Sequence, residues 1–421
     1  MTKLDEFRRG WSQLLAAFLG LGIGIIGLAT YNLSIFANSL AQSIGLTKTV
    51  YGFGYTGFTF GVTVGLLLWA RIITRIGVQR GIAISAVGLA LSFLGLGYLT
   101  RTPAAYLFFV TCLGIVGSGT SAMMFTQTIS AWFDKGRGLA LGVTQLGVGG
   151  AGAIFPPIIA GVIRVHGWHA GYLALAGLSL LGAPLALLLV RMPDLNDGGH
   201  GAKKGNDQRL DTAELTALFG AARKSRNFWI LTFGVGATGL ALSGSLQHLV
   251  PMLQEFGATP KVAAAFLGLI GIGSICARLA LGWLSDYVHA PYLMTFSCVV
   301  AALGHFLLAY GGLTYAPIFV FSLGWAFGCE VDLIGYMVTR YFNFDIFIRV
   351  YAWQYSAFLI CAGVSPFING WIADATHGYA VNLNLNGIVA MLAATSFLFL
   401  PRYSNARHSA VGTGIGTTTA T

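Results

Sequence analysis

The sequence predicts an all-α integral membrane protein of twelve transmembrane helices, arranged as two pseudo-symmetric six-helix bundles. Three observations carry that expectation. Only 9% of the 421 residues are charged while 56% are hydrophobic, and the mean hydropathy is +0.74; soluble domains carry about 25% charged residues. Twelve apolar stretches reach the ~20 residues a bilayer core requires. Finally, the cations alternate from loop to loop. Of 24 Lys and Arg, only Lys48, Arg101, Arg164 and Lys261 fall in one set of loops, Arg278 lies inside an apolar run, and the other 19 share the opposite side with both termini. That bias predicts cytoplasmic termini in a plasma membrane.

Taken in order, the apolar stretches run 12–38, 50–72, 79–100, 103–130, 137–164, 170–192, 226–253, 260–285, 290–310, 314–340, 349–373 and 382–401. The segment Met1–Arg9 is short and mixed in charge, and no small-residue cleavage site follows the first run, so that run reads as an uncleaved anchor. The expected organisation is a six-helix bundle over 1–192, a cytoplasmic linker over 193–225, a second bundle over 226–401 and a disordered tail over 402–421. The linker opens on a flexible composition, Asp194-Leu-Asn-Asp-Gly-Gly-His-Gly. It then offers Asp211 as a cap with Glu214 in the reciprocal position, ahead of Arg223, Lys224 and Arg226, which suits a short interfacial helix. The tail ends Gly-Thr-Gly-Ile-Gly-Thr-Thr-Thr-Ala-Thr and has nothing to bury.

The halves repeat. Trp132-Phe133 is followed by Gln145 and Pro156, and Tyr341-Phe342 by Gln354 and Pro366, each set spanning the fourth and fifth helices of its half. Parallel repeats of this kind mark transporters that rock two halves about a central site. The net charge of +10 follows from loop topology and needs no nucleic acid. Cys112, Cys276, Cys298, Cys329 and Cys361 lie in apolar runs without metal-ligand spacing. The glycines of Gly147-Val-Gly-Gly-Ala-Gly152 lack the Lys-Ser/Thr of a phosphate loop. No nucleophile–base pair, metal cluster or nucleotide fingerprint is present, so neither an enzyme nor a cofactor is expected.

Chemistry concentrates in the eighth and tenth stretches. Arg278 sits mid-run, where a guanidinium costs at least ~2.5–3.5 kcal/mol, so it must meet water, an acid or an anionic ligand. Ser274, four residues earlier, shares its helical face. In the tenth stretch Glu330 and Asp332 are two acids inside one apolar run, on different faces; one of them is expected to meet Arg278, either as a proton carrier or as a structural salt bridge with Arg278 or Arg340, and spacing alone does not choose between the two acids. Asp332 shares a face with Tyr336. Secondary candidates for contacts with an organic ligand are Tyr31, Asn32, Ser121, Met124 and His248, the last also a possible relay or a packed neutral histidine; Gln145 and Gln354 read equally as interhelical hydrogen bonds.

These residues resemble a known group. The architecture resembles the major facilitator superfamily. Ala131-Trp-Phe-Asp-Lys-Gly-Arg137-Gly-Leu-Ala-Leu-Gly142, with Gly147 and Pro156-Pro157, looks like the helix 4–5 signature of the monocarboxylate transporter family. Gly167-Trp-His-Ala-Gly-Tyr is similar to the turn that opens helix 6 there, and Ile275-Cys-Ala-Arg278 to the helix 8 motif whose arginine binds the substrate carboxylate. Gly282 and Asp286 resemble the superfamily's signature loop, for which Arg75 and Arg137 are the expected gating partners. The sequence departs at Ser274, where animal members carry aspartate, at Thr74, where the superfamily usually has aspartate, and in 12–38, which has no counterpart of the helix 1 lysine. The resemblance implies a bacterial inner-membrane protein, functional as a monomer, that carries a small organic acid anion with a proton by alternating access. Its alternative is an organic anion antiporter similar to the oxalate–formate exchangers, whose second cation in helix 11 has no equivalent in residues 350–373.

Overall fold

The computed structural model describes residues 3–133, 137–191, 212–285 and 287–402. Helix α1 comprises Lys3–Gly22, a π-turn at Ile26–Thr30, and Leu33–Ile44. Then come α2 (Lys48–Ile76), α3 (Val78–Leu94, extended by Gly95–Leu99) and α4 (Pro103–Gly117, the turn Ser118–Thr120, Ala122–Trp132). The first half closes with α5 (Arg137–His166) and α6 (Trp168–Leu180 and Gly182–Leu189). The second half holds α7 (Arg226–Gln247 and Leu249–Glu255), α8 (Pro260–Leu284), α9 (Ala290–Gly311), α10 (Ala316–Tyr341), α11 (Phe347–Ala375) and α12 (Ala380–Leu398). Among the described residues eleven stretches are long and apolar enough to cross a membrane; one of them, Ala290–Glu330, contains the turn Gly312–Tyr315 and is two crossings, which makes twelve. Large apolar side chains such as Phe60, Leu67, Leu91 and Phe108 stand more than 60% exposed, the outer surface that lipid would cover.

The chain caps its helices locally. Thr47, Thr102, Ser225 and Thr259 each accept a backbone N–H three residues on, at the starts of α2, α4, α7 and α8. The turns before α2 and α8 match each other, Gly45-Leu-Thr47 against Gly257-Ala-Thr259, with φ of 68° and 94° at the glycines, a conformation other residues rarely adopt. The duplicated aromatic pairs also occupy equivalent places. Phe133 and Phe342 end α4 and α10 in extended backbone. Beside them, Trp132 Nε1 donates to the Arg191 carbonyl just past α6, and Tyr341 Oη to the Pro401 carbonyl just past α12, both at 2.7 Å.

Helix Thr212–Lys224 precedes α7 and lays Leu215, Leu218 and Phe219 against the second half, while Arg349 Nη1 of α11 donates to Thr216 Oγ1 at 3.2 Å. Asp211, expected to cap this helix, lies outside the described residues. Inside the second half, buried amides join α7, α9, α11 and α12: Asn386 donates to Asn369 Oδ1 at 2.8 Å and Ser245 Oγ at 2.9 Å, and Ser245 meets His305 Nε2 at 2.8 Å. Such bonds hold helices together where burial from water gives no drive.

Polar contacts between the halves cluster at the far end, away from the chain termini. Lys48 Nζ pairs with Glu255 Oε2 at 3.3 Å, and Thr49 donates through N and Oγ1 to Asp374 Oδ2 at 2.8 and 2.6 Å. Asn38 donates to Gln254, and Thr56 Oγ1 to the Gly363 carbonyl at 2.6 Å. Gly52 lets α2 touch α11 there, since a Cβ at that position would collide with the Pro366 carbonyl. Deeper in, Gln247 Nε2 of α7 donates at 3.3 Å to the Thr30 carbonyl exposed by the break in α1.

Candidate functional site

The centre of the molecule is built on α8 and α10. Gly328 of α10 lies against the Ser274 backbone of α8, bringing the polar residues of the two helices side by side. Arg278 Nη1 donates to Asp332 Oδ2 at 3.0 Å. The arginine side chain is 14% exposed and the aspartate 55%, so the pair is sealed at the guanidinium and open at the carboxylate. Arg278 Nε is buried without a hydrogen-bond partner among the described residues. Glu330 is 5% exposed and its Oε2 has no partner among them, although it lies in the fields of Arg278 and Asp332. The alternative left open by spacing is resolved in geometry: Asp332 meets the arginine directly, while Glu330 sits behind it.

The first half contributes side chains to the same centre. The π-turn of α1 delivers Tyr31, whose ring covers Gly152 of α5 and whose hydroxyl faces Ser274, in the fields of Arg278 and Glu330. Tyr55 of α2 faces Thr30 and shares the Glu330 field. From α11, Tyr351 lies in the fields of Asp332 and Glu330, and Tyr355 in those of Glu330 and Arg278.

Several expected site residues lie elsewhere or do other work. Asn32 is wholly buried and donates to the Leu28 carbonyl at 3.0 Å and the Gly27 carbonyl at 3.3 Å, which repairs the break in α1. Met124 is 2% exposed in the hydrophobic core. Ser121 lies at the break in α4, with its hydroxyl buried and unpartnered among the described residues. His248 takes the packed alternative in this structure: it is 0% exposed, its Nδ1 meets Tyr379 Oη and its Nε2 the Pro366 carbonyl, both at 2.9 Å, and the two bonds join α7, α11 and α12. Tyr336 accepts from Arg340 Nη2 at 2.9 Å and Nε at 3.3 Å, so its hydroxyl serves the neighbouring arginine. Gln354 is an interhelical bond, donating to the Phe228 carbonyl at 3.3 Å. Among the expected gating residues, Arg75 is exposed at the end of α2, and Gly282 lies within α8. Arg137 begins α5, but its side chain, like the whole of Asp286, lies outside the described residues.

Sequence reasoning missed Tyr55, Tyr351 and Tyr355. A signal for two of them was present: Phe347, Tyr351, Tyr355 and Phe358 follow helical spacing along α11. In a chain that is 13% aromatic, that stripe did not stand out from packing.

Comparison with known proteins agrees with this architecture. Residues 19–342 match the family model described as Major Facilitator Superfamily. A protein of Bacillus subtilis (strain 168) described as an uncharacterized MFS-type transporter, YcxA, is 26% identical over 369 residues, covering 83% of this chain and 87% of its own length. Monocarboxylate transporter 13 of Bos taurus is 26% identical over 292 residues, covering 67% of this chain and 63% of the relative. The chain therefore spans less than two thirds of that relative. Among solved structures, a bacterial homolog to the human lysosomal transporter Spinster, in an inward-facing and unoccupied conformation, superposes with a TM-score of 0.73 at 16% identity, over 93% of this chain and 98% of that one. This likeness is one of fold, the major facilitator fold of twelve helices.

Proposed function

This chain belongs to the Major Facilitator Superfamily of secondary transporters, and we propose that it carries a small monocarboxylate together with a proton by alternating access. One observation carries the proposal: an arginine buried midway along α8 is held by a carboxylate, Asp332, that is itself half open to solvent. A guanidinium at that depth needs an anion. Asp332 supplies one at rest, and an incoming carboxylate takes its place through the planar two-pronged geometry that guanidinium offers. The displaced Asp332 then binds a proton from the water it faces. Substrate charge and arginine charge cancel, Asp332 is neutral, and the loaded cavity can reorient through a low-dielectric core. Release reverses both steps.

Glu330 differs in access. Glu330 is 5% exposed and the Asp332 side chain 55%, which makes Asp332 the better placed of the two to exchange a proton. We assign the coupling proton to Asp332 and a supporting role to Glu330. We read the far-end contacts Lys48–Glu255 and Thr49–Asp374 as the closed side of the site, with access from the side of the chain termini. The distribution of cations assigns that side to the cytoplasm. The relatives named as monocarboxylate transporters support the substrate class.

The test is uptake into proteoliposomes of radiolabelled lactate, pyruvate, benzoate and gluconate, with and without an inside-alkaline pH gradient. At least one acid is expected to accumulate above its external concentration only with the gradient. Accumulation that ignores pH but requires a trapped internal anion would replace symport with exchange.

A further inference from the structure

A groove of about 480 Å³ runs down the outer surface of the second half, between α7 and α12, with Arg226 at its head. Gly234 draws the two helices together beneath it, since a Cβ at that position would collide with Ser396 Oγ. The walls are aromatic: Trp229 and Phe233 of α7 stand 51% and 56% exposed, and Phe399, just past α12, 60%. Trp229 Nε1 donates to the Arg223 carbonyl at 2.8 Å. That bond spends the polar edge of the indole and fixes the basic turn Arg223, Lys224 and Arg226 at the head of the groove. Arg223 itself lies over the Trp353 ring, 5.1 Å from its centroid, which leaves Lys224 and Arg226 exposed.

The groove is polar at one end only. Thr395 Oγ1 donates to the Met391 carbonyl at 2.8 Å and Ser396 Oγ to the Ala393 carbonyl at 2.7 Å, so the hydroxyls along its length are spent on their own helix. What is left for a ligand is the guanidinium of Arg226, which no ion pair holds among the described residues. From Arg226 to Phe233 the helix rises about 10 Å, most of the way through one ~15 Å leaflet of hydrocarbon. An occupant that satisfies the whole groove is therefore anionic at its head and apolar over the rest. A free phosphate meets only the first condition, and a lipid without net charge only the second. The distribution of cations assigns the mouth to the cytoplasmic leaflet. Basic pockets between transmembrane helices on that side hold anionic headgroups, and each Lys or Arg near the surface contributes about 1 kcal/mol.

We propose that the α7–α12 groove is a binding site for an anionic phospholipid. Arg226 holds the phosphate, with the charge of Lys224 beside it, and one acyl chain lies between Trp229, Phe233 and Phe399. The site is independent of what Arg278 carries. Because the basic turn ends the segment joining the two halves, a bound lipid pins that segment where it enters α7.

The experiment is native mass spectrometry of the purified full-length protein with palmitoyl-oleoyl phosphatidylglycerol and palmitoyl-oleoyl phosphatidylcholine, which share their chains and differ in net charge. The tightest-bound phosphatidylglycerol is expected to hold at least tenfold better than phosphatidylcholine. Arg226→Gln should cut that preference at least threefold, and Arg226→Lys should keep it, because a phosphate also accepts a point charge. Arg71→Gln, which removes an exposed cation near the same end of α2, should leave it intact. Position is read on the unaltered protein: phosphatidylglycerol with a photoreactive diazirine in its acyl chain should label residues 226–233 and 392–399 ahead of the other outward-facing segments. Equal affinity for the two lipids, equal losses in Arg226→Gln and Arg71→Gln, or labelling spread evenly over the outer helices overturns the proposal in favour of a general lipid annulus. Glycerol 3-phosphate binding as tightly as the whole lipid also overturns it, since the apolar groove would then contribute nothing.

Discussion

The guanidinium of Arg278 is held at 3.0 Å by Asp332, a partner 54 residues away in sequence and one helix across in space. Anion affinity at this site is therefore an exchange: the ligand gains what Asp332 gives up. Two consequences can be measured.

Arg278→Lys should bind acids at least tenfold more weakly with the fold intact. An ammonium is a point charge without the paired, planar donors, and hydrogen bonds to charged groups are worth about 1.5–3 kcal/mol each. Calorimetry against the parent decides it; unchanged affinity in the lysine variant would remove the arginine from the site.

Asp332→Asn and Glu330→Gln should separate. The asparagine variant keeps substrate counterflow between equal solutions but loses accumulation driven by a pH gradient, because its side chain no longer takes up and releases a proton. The glutamine variant keeps gradient-driven uptake. If the two phenotypes come out reversed, the proton belongs to Glu330; if both variants accumulate fully, α10 does not couple at all.

Succinate should bind more than tenfold more weakly than butyrate at pH 7. Both have four carbons, but Arg278 neutralises only one charge, so the second charge of succinate would be buried without a cationic partner in the site, and an unpaired buried ion costs several kcal/mol. Equal affinities would contradict a single cationic anchor.

Gly52→Leu should hold the far end open. Its side chain would meet the Pro366 carbonyl where α2 touches α11. Spin labels at Ser43→Cys and Lys261→Cys, both exposed at that end, should report longer distances than in the parent. An unchanged distance distribution would mean that closure tolerates the collision.

Trp132→Phe and Tyr341→Phe should lower the thermal midpoint by similar amounts. Each removes a 2.7 Å bond to the carbonyl that ends its own half, worth about 0.5–1.5 kcal/mol, and Tyr341→Phe also removes the longer 3.3 Å contact with His289 Nε2. A large difference between the two would argue against equivalent halves.

Much of this architecture was legible because lipid allows few solutions. Twelve runs of spanning length and alternating cations determine helix number, and the repeated aromatic–Gln–Pro pattern locates equivalent positions in the two halves. Arg278 was legible for the same reason, since a lone guanidinium in an apolar run demands an explanation. What stayed hidden were residues whose role depends on partners far along the chain. Spacing could not tell that Asp332 and not Glu330 reaches Arg278, because that depends on how α10 is rotated against α8. The sequence left His248 open between ligand, relay and packed histidine, because its contacts, Tyr379 and Pro366, lie more than 100 positions away. The Tyr351–Tyr355 stack used a spacing that ordinary helix packing also uses.

The far-end contacts between the halves carry an energetic message. Lys48 and Glu255 are each about a third exposed, and exposed ion pairs contribute roughly 0–1 kcal/mol. With Thr49 and Asp374 alongside, these polar contacts add a few kcal/mol at most to the closed arrangement, and a bias of about 1.4 kcal/mol corresponds to a population ratio of roughly ten. A substrate that prefers the other arrangement by a comparable margin inverts it. Replacing these contacts with a well-packed apolar seam would deepen one basin until no ordinary ligand could empty it. The shallow latch is what lets the molecule cycle instead of merely bind.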